Sequence, residues 1–435
     1  MKTSLKRLAS SAGFIAAVAL AVRFVILWWT WHRAAPLPPN TPYGYELGCV
    51  AKSIASGKGF SSPLPFFDTG PTAWLSPVFP YIAGGIFKIW GIYSVKSHIA
   101  IQILNCLFSA LTIFPIYAIA KRSFGASVAV GASWLWVVLP TAWHIPIADV
   151  WDTALSALLF AVLLWATLAM RGQRSLTRWA GYGALWALAA LTNTSLMAVL
   201  PFFLAWLAWE NHKNRSPWLR PVAIAVAVII LGAVPWVIRN YFVVGKAFPI
   251  RSNFGLMLWF GNSPTATPVS SFFNSPFLDR AEAAKFQRLG EAAYMRTKQS
   301  EALNYMRSHP ERTVAFIARR LGTEWFEVTD RANDRWSADS GPIKLLFLFN
   351  AGWVLFALFG LAVATRDRNV YAPLYWAILL FYPLVFYLTS TLVRYRFPID
   401  SILTILAAYG LRSALRGGAA GARTRRADPA LENVS

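Results

Sequence analysis

The sequence is poor in charge, in acidic residues above all, and in cysteine. Charged residues make up 14% of the 435 positions, with 19 Asp and Glu against 41 Lys and Arg, while apolar residues make up 56%. A water-soluble domain of this composition would leave far too much apolar surface in contact with water, which excludes that class. The two cysteines, Cys49 and Cys106, lie far apart in the sequence, so neither a disulfide framework nor a zinc site is indicated.

The motifs of common soluble enzymes are also missing from the sequence. There is no glycine-rich phosphate loop after a strand, no HExxH pair, and no cluster of Cys and His at metal-binding spacing. The net charge of +22 could indicate a nucleic-acid partner, because basic chains neutralise phosphates. Its distribution favours a membrane protein instead, since many basic residues lie in short segments between apolar runs: Lys121, Arg122, Arg171, Arg174, Arg178, Lys213, Arg215, Arg220, Arg366 and Arg368. We therefore predict no nucleic-acid partner.

Long apolar runs take up much of the chain. A helix that crosses a bilayer needs roughly 20 apolar residues, and about ten such spans are predicted, at residues 10–32, 97–119, 127–143, 150–170, 179–191, 195–209, 222–238, 345–364, 370–388 and 397–411. The first run is long and contains Arg23, so we interpret it as a retained span rather than a signal peptide. Arg23 is expected to face another helix or to extend toward the interface. If the N-terminus lies inside, an even number of crossings places the C-terminus and the basic segments on the cytoplasmic side as well, and we predict this topology.

Two segments on the outer side of the membrane are longer than simple connectors. Residues 33–96 contain two short amphipathic pieces, at 45–55 and 78–91, that we expect to lie along the membrane surface. Residues 239–341 include a stretch at 281–320 with charge at helical spacing and a break at Pro310, which predicts helices outside the lipid. The predicted fold is an all-α polytopic membrane protein. We divide it into a transmembrane module (1–238), an extracytoplasmic loop (239–341), C-terminal transmembrane helices (342–411) and a basic cytoplasmic tail (412–435).

Carboxylates at the outer face are the first candidates for chemistry. Glu46 follows Tyr45 and opens the first amphipathic piece, where it is either a carboxylate favoured by the helix dipole or a catalytic group. Asp149 and Asp152 begin the fourth span, three residues apart and hence on nearly the same helix face, so at least one should point into the bundle. Either aspartate could also be simply interfacial.

Arginines at the outer face are the second set of candidates. Arg251 and Asn253 lie just beyond the seventh span, and Arg394, Tyr395 and Arg396 lie immediately before the last one. An arginine at a membrane interface ordinarily extends its side chain toward water. Positive charge is depleted on the outer side, however, so two guanidinium groups in one short loop suit an anionic headgroup such as a phosphate.

The order of these features resembles the GT-C superfamily of membrane glycosyltransferases, in particular the branch of the protein O-mannosyltransferases and the lipid A aminoarabinose transferase. The resemblance rests on Glu46 soon after the first span, residues 51–60 with Gly57 and Gly59, the surface helix at 77–91, the span ending in Lys121 and Arg122, and Arg394, Tyr395, Arg396 and Pro398 ahead of the last helix. The acidic motif departs from the pattern. This branch usually carries an Asp, often in an adjacent acidic pair, where this sequence has Tyr45 and a single Glu46.

The resemblance implies a GT-C fold and the transfer of one sugar from a polyprenyl-phosphate carrier, on the outer side, with inversion at the anomeric carbon. Glu46 would then be the general base, with Asp152 as the second catalytic candidate. Phosphate-binding residues of the donor site would be Arg394, Arg396 and Arg251. Residues that contact substrate would be Tyr45, Asp149, Asn253 and Tyr395.

The resemblance leaves a divalent cation open as a cofactor, and it leaves the sugar open. The acceptor would be a protein or a glycolipid, membrane lipid would be a further partner, and the location would be a bacterial cytoplasmic membrane. Two other functions remain open. A transporter or flippase of a lipid-linked sugar should have related halves and broken helices near the midplane, and neither is visible in the sequence. A structural subunit of an envelope complex fits the topology but leaves the clustered outer-face charges unexplained.

Overall fold

The computed structural model describes residues 8–33, 41–148, 150–245, 248–267, 275–326 and 341–426. Apart from one isolated β-bridge between Ser61 and Pro71, these residues form helices and loops, so the predicted all-α fold is confirmed. A 3₁₀ helix at Thr194–Val199 lies between α9 and α10. The α-helices, numbered in chain order, are α1 (Ala12–Arg33), α2 (Tyr45–Ala55), α3 (Val78–Trp90), α4 (Val95–Leu111), α5 (Ile113–Phe124), α6 (Ala126–Val138), α7 (Pro140–Ala148), α8 (Thr153–Met170), α9 (Leu176–Thr192), α10 (Leu200–Lys213), α11 (Leu219–Val244), α12 (Phe254–Gly261), α13 (Arg280–Leu289), α14 (Glu291–Ser308), α15 (Pro310–Phe326), α16 (Gly341–Arg366), α17 (Ala372–Phe381), α18 (Leu384–Leu388) and α19 (Val393–Arg426).

The chain is a multi-pass membrane protein. Five helical segments among the described residues are long and apolar enough to cross a bilayer: Ala12–Arg33, Val95–Phe124, Thr153–Met170, Leu219–Val244 and Leu348–Arg366. The bent pair α6 and α7 makes a sixth if it is counted as one span. The prediction of about ten spans is not confirmed by this count. Several of the predicted apolar runs form shorter helices, such as α9 and α10, or a run interrupted between α17 and α18.

Arg23 of α1 is fully buried among the helices, as one of the two predicted alternatives required. Its guanidinium donates hydrogen bonds to the carbonyl oxygens of Trp136 at 3.4 Å and Ala142 at 3.1 Å. Four residues after each of these carbonyls stands a proline, Pro140 or Pro146, which has no amide proton to donate in the helical pattern. Arg23 therefore supplies donors at the 44° bend between α6 and α7, and its role in the bundle is structural.

Close backbone contact joins α16 to α19. A Cβ atom at Gly410 would lie 2.3 Å from the carbonyl oxygen of Phe356, and one at Gly360 would lie 2.0 Å from the carbonyl oxygen of Leu406. Only glycine allows the two helices to approach so closely, as is common where membrane helices cross. This contact fixes α19, the helix that carries Arg394 at its start and a row of basic residues near its end.

Helices α2, α3 and α12 to α15, here called the outer helices, pack together beside the apolar helices of the bundle. Helices α2 and α3 confirm the two predicted amphipathic pieces, and α13 to α15 confirm the helices predicted at 281–320 with their break at Pro310. A Cβ at Gly84 of α3 would lie 2.7 Å from Ile54 of α2, and a Cβ at Gly255 of α12 would lie 2.2 Å from the carbonyl oxygen of Met295 in α14. One apolar cluster includes side chains from α2, α3, α12 and α14, so the loops between these helices are held in a fixed arrangement.

Candidate functional site

Glu46 lies in the first turn of α2, directly after a tight turn of the backbone. Gly44 and Tyr45 both adopt left-handed conformations, with φ of 80° and 48°. Such a conformation costs a non-glycine residue roughly 1–2 kcal/mol, so the surrounding packing must hold Tyr45 there. A Cβ at Gly48 would lie 1.9 Å from the carbonyl oxygen of Tyr43, which explains why that position needs glycine. The turn leaves the Tyr45 ring exposed and the Glu46 side chain half-buried.

Asp152 occupies the residue immediately before α8, and its side chain does not cap that helix. Its carboxylate accepts a hydrogen bond from Ser156 Oγ at 3.1 Å, and Ser156 Oγ in turn accepts one from Asn193 Nδ2 at 3.3 Å. The Asp152 side chain is half-buried.

Arg251 is held by the loop between α2 and α3. Its Nε donates to the carbonyl oxygen of Trp74 at 3.4 Å, and the amide of Ser252 donates to the carbonyl oxygen of Ala73 at 2.8 Å. Through these two backbone contacts, the segment that carries Arg251 runs beside residues 73 and 74. The position of Arg251 therefore depends on how firmly these two segments are tied together.

Glu291, the first residue of α14, ties these segments together. Its Oε1 accepts hydrogen bonds from the Ala73 amide at 2.9 Å and from Ser252 Oγ at 2.5 Å, and its Oε2 accepts one from Thr72 Oγ1 at 2.5 Å. The side chain is buried, with 8% of its surface exposed. One carboxylate thus satisfies three donors from two segments, as a buried charge requires. Burial raises the pKa of Glu291, and hydrogen bonds from Ser252 and Thr72 oppose that rise.

Arg394 lies in the first turn of α19 and stacks on an aromatic ring. Its guanidinium carbon is 4.8 Å from the centre of the Trp151 ring and 5.7 Å from the centre of the Tyr395 ring. Trp151 is the residue before Asp152, so this stacking brings the start of α19 to the start of α8. Cation–π contacts of this kind hold a guanidinium in place while leaving its N–H groups able to bind an anion.

The four charged groups influence one another electrostatically. Burial raises the pKa of Glu46, and the nearby charges of Arg394 and Arg251 oppose the rise. Burial likewise raises the pKa of Asp152, against the charges of Arg251 and Arg394. Burial lowers the pKa of Arg251, while Asp152, Tyr395 and Glu46 raise it. Two carboxylates and two guanidinium groups, from four distant parts of the chain, therefore share one site.

A narrow cleft lies at this site. Its volume is about 20 Å³, which is room for about one water molecule. Polar and charged groups meet apolar walls along it; the lining residues are Leu47, Leu75, Ser76, Phe79, Pro80, Trp151, Asp152, Thr192 and Arg251. Among the described residues, no group of three or more His, Cys, Asp or Glu side chains is arranged to hold a metal ion.

The other predicted site residues have different surroundings. Arg396 is 1% exposed, and its Nε donates to Asp400 Oδ1 at 2.8 Å while its Nη1 donates to two backbone carbonyl oxygens of α15. These contacts tie Arg396 to Asp400 and to the end of α15, and its contact with a phosphate stays a prediction. Tyr395 acts electrostatically on Arg251, and Asn253 is buried just before α12. Tyr45 contacts the Phe277 ring at 5.5 Å, and Asp149 lies outside the described residues.

Sequence reasoning missed three residues that shape the site. Glu291 and Ser252 hold the segment of Arg251, and Trp151 carries the Arg394 guanidinium. Glu291 carries no distinctive signal in the sequence, because an acidic residue at a helix start is ordinarily explained by the helix dipole. Trp151 stands between Asp149 and Asp152 in the sequence, and only this position next to two candidate residues could have indicated that it belongs to the site.

Part of the sequence matches a known protein family, and the fold matches solved structures. Residues 73–238 match the family model described as dolichyl-phosphate-mannose-protein mannosyltransferase. No curated protein matches the sequence significantly. Among solved structures, the oligosaccharyltransferase AglB from Archaeoglobus fulgidus, in complex with an inhibitory peptide and a dolichol-phosphate, matches with 15% identity and a TM-score of 0.57, and the match covers 98% of this chain and 52% of that chain.

The apo form of the same Archaeoglobus fulgidus enzyme matches with a TM-score of 0.56, 15% identity, and the same coverage of 98% and 52%. ArnT from Cupriavidus metallidurans bound to undecaprenyl phosphate matches with a TM-score of 0.38 and 15% identity, over 92% of this chain and 77% of that chain. The chain thus spans about half the length of the oligosaccharyltransferase. The predicted resemblance to the protein mannosyltransferase branch of the GT-C superfamily is confirmed over residues 73–238 by the family match, and the chain shares its fold with the oligosaccharyltransferase.

Proposed function

We propose that this protein transfers one sugar from a polyprenyl-phosphate donor to a hydroxyl-bearing acceptor at the outer face of the membrane, with inversion at the anomeric carbon. The observation that carries the proposal is the electrostatic grouping of Glu46 and Asp152 with Arg251 and Arg394, at a cleft that Asp152 and Arg251 line. A lipid-linked donor needs its reacting phosphate at the membrane face, because its tail stays in the bilayer.

The chemistry divides between the two kinds of charged group. The acceptor oxygen attacks the anomeric carbon, the bond from that carbon to the phosphate oxygen breaks, and the polyprenyl phosphate leaves with the electron pair. Arg394 and Arg251 stabilise the charge on the leaving phosphate through charge-assisted hydrogen bonds. A leaving phosphate needs no proton, so the reaction requires one base for the acceptor hydroxyl and no acid.

We assign the base to Glu46 and assign to Asp152 the orientation of the acceptor. Glu46 stands beside the exposed Tyr45 ring, on the side from which a bulky acceptor can approach. Asp152 lines the narrow cleft and accepts a hydrogen bond from Ser156 Oγ. Among the charges that oppose the rise in the pKa of Asp152, Arg251 has the larger effect and Arg394 the smaller. Tyr45 and Tyr395 are the aromatic groups at hand to contact acceptor and sugar.

Donor binding requires the cleft to widen, because its present volume holds little more than a water molecule. The stacking of Arg394 on Trp151 holds the plane of the guanidinium while a phosphate binds at its N–H edge. Arg394→Lys should therefore weaken donor binding despite the conserved charge, because an ammonium reproduces neither the stacking nor the forked geometry.

The experiment begins with mass spectrometry of lipid-linked sugars and envelope glycans from cells with and without the gene, which identifies the donor as the carrier that accumulates. Turnover and donor binding are then measured for purified Glu46→Gln and Asp152→Asn, with Asp68→Asn in the exposed part of the same loop as the matched control. We expect Glu46→Gln to bind donor normally while turnover falls about 10²- to 10⁴-fold.

Two results would change the conclusion. If Glu46→Gln keeps most of its turnover while Asp152→Asn is inactive, the base is Asp152. If both variants turn over like the Asp68→Asn control, the proposed reaction is wrong, and transport of the lipid-linked sugar becomes the function to test.

A further inference from the structure

A second, larger cavity lies at the far end of the bundle from the candidate site. Its volume is about 490 Å³, within the range of cavities that bind small molecules. Arg394 at the start of α19 and Arg412 in this cavity are separated by 18 residues of helix, or about 27 Å at 1.5 Å per residue. That distance is close to the thickness of the hydrocarbon core, so the cavity lies at the opposite membrane face, which the charge distribution predicts to be cytoplasmic.

The cavity forms where α16 and α19 separate below their close crossing at Gly360 and Gly410. Its walls come from the end of α5, the end of α16 and the loop after it, and the α19 segment that includes Tyr409 and Ser413. The close backbone contact at Gly360 and Gly410 holds α16 against α19 next to this cavity.

Positive charge dominates the lining of the cavity. Arg412 and Arg416 are one helical turn apart and hence on one face of α19. Arg412 donates through Nη1 to the carbonyl oxygen of Phe124 at 3.2 Å, which fixes its guanidinium at the cavity wall, and Arg416 is exposed. The one carboxylate in the lining, Asp367, accepts a hydrogen bond from Tyr409 OH at 2.8 Å. Two guanidinium groups against one carboxylate favour an anion with several oxygens.

Apolar side chains adjoin the two arginines on the same helix. Leu411 and Leu415 stand next to Arg412 and Arg416 in the sequence and are 48% and 68% exposed. In a helix at a membrane face, exposed leucines of this kind contact acyl chains, while neighbouring arginines reach the headgroup level. A ligand that matches both features has an anionic head and a hydrocarbon tail.

We propose that this cavity binds the phosphate headgroup of an anionic phospholipid, with Arg412 and Arg416 on the phosphate oxygens and the acyl chains along Leu411 and Leu415. The site is separate from the proposed sugar-transfer site and does not depend on it. Basic pockets between membrane helices on the cytoplasmic side bind lipid headgroups by the same combination of charge and depth. The bound lipid would hold α16 and α19 together below their crossing.

The test is native mass spectrometry of the full-length protein in detergent, titrated with phosphatidylglycerol and, separately, with zwitterionic phosphatidylcholine. The variants are Arg416→Gln and the double variant Arg412→Gln/Arg416→Gln. The matched control is Arg174→Gln/Arg178→Gln, which removes the same charge from two exposed arginines on the same predicted face, away from the cavity. A circular-dichroism melt of each variant checks that it is folded.

We expect phosphatidylglycerol to bind the wild-type protein and the control alike, and to bind the double variant about tenfold or more weakly, because charge-assisted hydrogen bonds are lost. Arg416→Gln changes an exposed side chain and leaves the hydrogen bond from Arg412 to the Phe124 carbonyl intact. This variant should lose part of the affinity for phosphatidylglycerol and stay folded. Phosphatidylcholine should bind all four proteins equally weakly.

Two outcomes would overturn the proposal. Equal loss of phosphatidylglycerol in the double variant and in the control would mean that binding follows net charge rather than this cavity. Displacement of the lipid by soluble glycerol phosphate at a comparable concentration would assign the site to a free phosphate ester and not to a lipid.

Discussion

Replacing Glu291 tests whether the position of Arg251 depends on a residue that touches no substrate. Glu291→Ala leaves the Ala73 amide and the hydroxyl groups of Ser252 and Thr72 without their acceptor in a buried place. Each unsatisfied neutral donor costs about 1 kcal/mol or more, so the free energy of unfolding should fall by about 3 kcal/mol. Glu291→Gln keeps one oxygen for the first two donors and should cost only about 1 kcal/mol.

The functional effect should exceed what this loss of stability explains. With Ser252 released from Glu291, Arg251 is no longer held beside Glu46 and Asp152, so its N–H groups face the donor phosphate less often. In Glu291→Ala, assayed below its unfolding temperature, the KM for the donor should rise several-fold, whereas Glu291→Gln, which keeps Ser252 bound, should stay near the wild-type KM. Because the charge of Arg251 opposes the rise in the pKa of Glu46, its displacement should also move the acidic limb of the pH–rate profile to higher pH.

The assay combines thermal unfolding of the detergent-solubilised variants with turnover measured across pH and donor concentration. Glu301→Gln is the matched control, since it removes a charge from the same helix where the carboxylate pairs only with lysines. The reasoning is refuted if Glu291→Ala unfolds at the temperature of the control. It is also refuted if folded Glu291→Ala keeps the wild-type donor KM and pH profile, because Arg251 would then be positioned without Glu291.

Three further predictions follow from the described contacts. The general base must be deprotonated, so activity should be present above the raised pKa of Glu46 and lost as pH falls through it. In a pH–rate profile, the midpoint of the acidic limb should lie above the ordinary glutamate pKa of about 4.3. In Arg394→Gln, which lacks a charge that opposes the rise in this pKa, the midpoint should lie at still higher pH. Asp400→Asn breaks the buried ion pair between Arg396 and Asp400 and should lower the free energy of unfolding by about 3–5 kcal/mol in denaturant titrations, whereas the double variant Arg396→Met/Asp400→Leu should recover most of it. An unchanged unfolding midpoint in the single variant would contradict the stabilising role of this pair. Reporter fusions should place the outer side at Asp68 and Arg296, and the cytoplasm at Lys121, Arg174, Lys213 and Arg366; a cytoplasmic signal at Arg296 would defeat both the topology and the proposed reaction.

Composition and charge placement were sufficient to predict the class of protein and several of its elements. Apolar runs identify membrane helices because lipid selects by composition over a fixed length. The amphipathic helices α2 and α3 and the break at Pro310 were predictable because each depends on local periodicity or on a proline. The number of spans was not predictable, since an apolar run does not reveal how its helices begin and end, as the separate helices α17 and α18 illustrate.

The sequence predicted those site residues that lie directly next to a membrane span, because the end of a span marks a position near the membrane face. Glu46, Asp152, Arg251 and Arg394 all follow or precede a span on the same side, and the fold brings them together. Arg394 and Arg396 were taken to act alike because they were placed in a loop. Helix α19 instead begins at Val393, and two residues of an α-helix correspond to about 200° of rotation, so the two guanidinium groups face different partners.

The residues that hold the site in shape could come only from the tertiary structure. Glu291 binds Thr72 across 219 positions of sequence, and Arg394 meets Trp151 across a comparable distance. No local pattern distinguishes such a carboxylate from an ordinary helix-start residue, because its three donors belong to segments that are brought together only when the outer helices pack. The sequence by itself therefore determined which charges lie at the membrane face, and the packing of distant segments decided which of them meet.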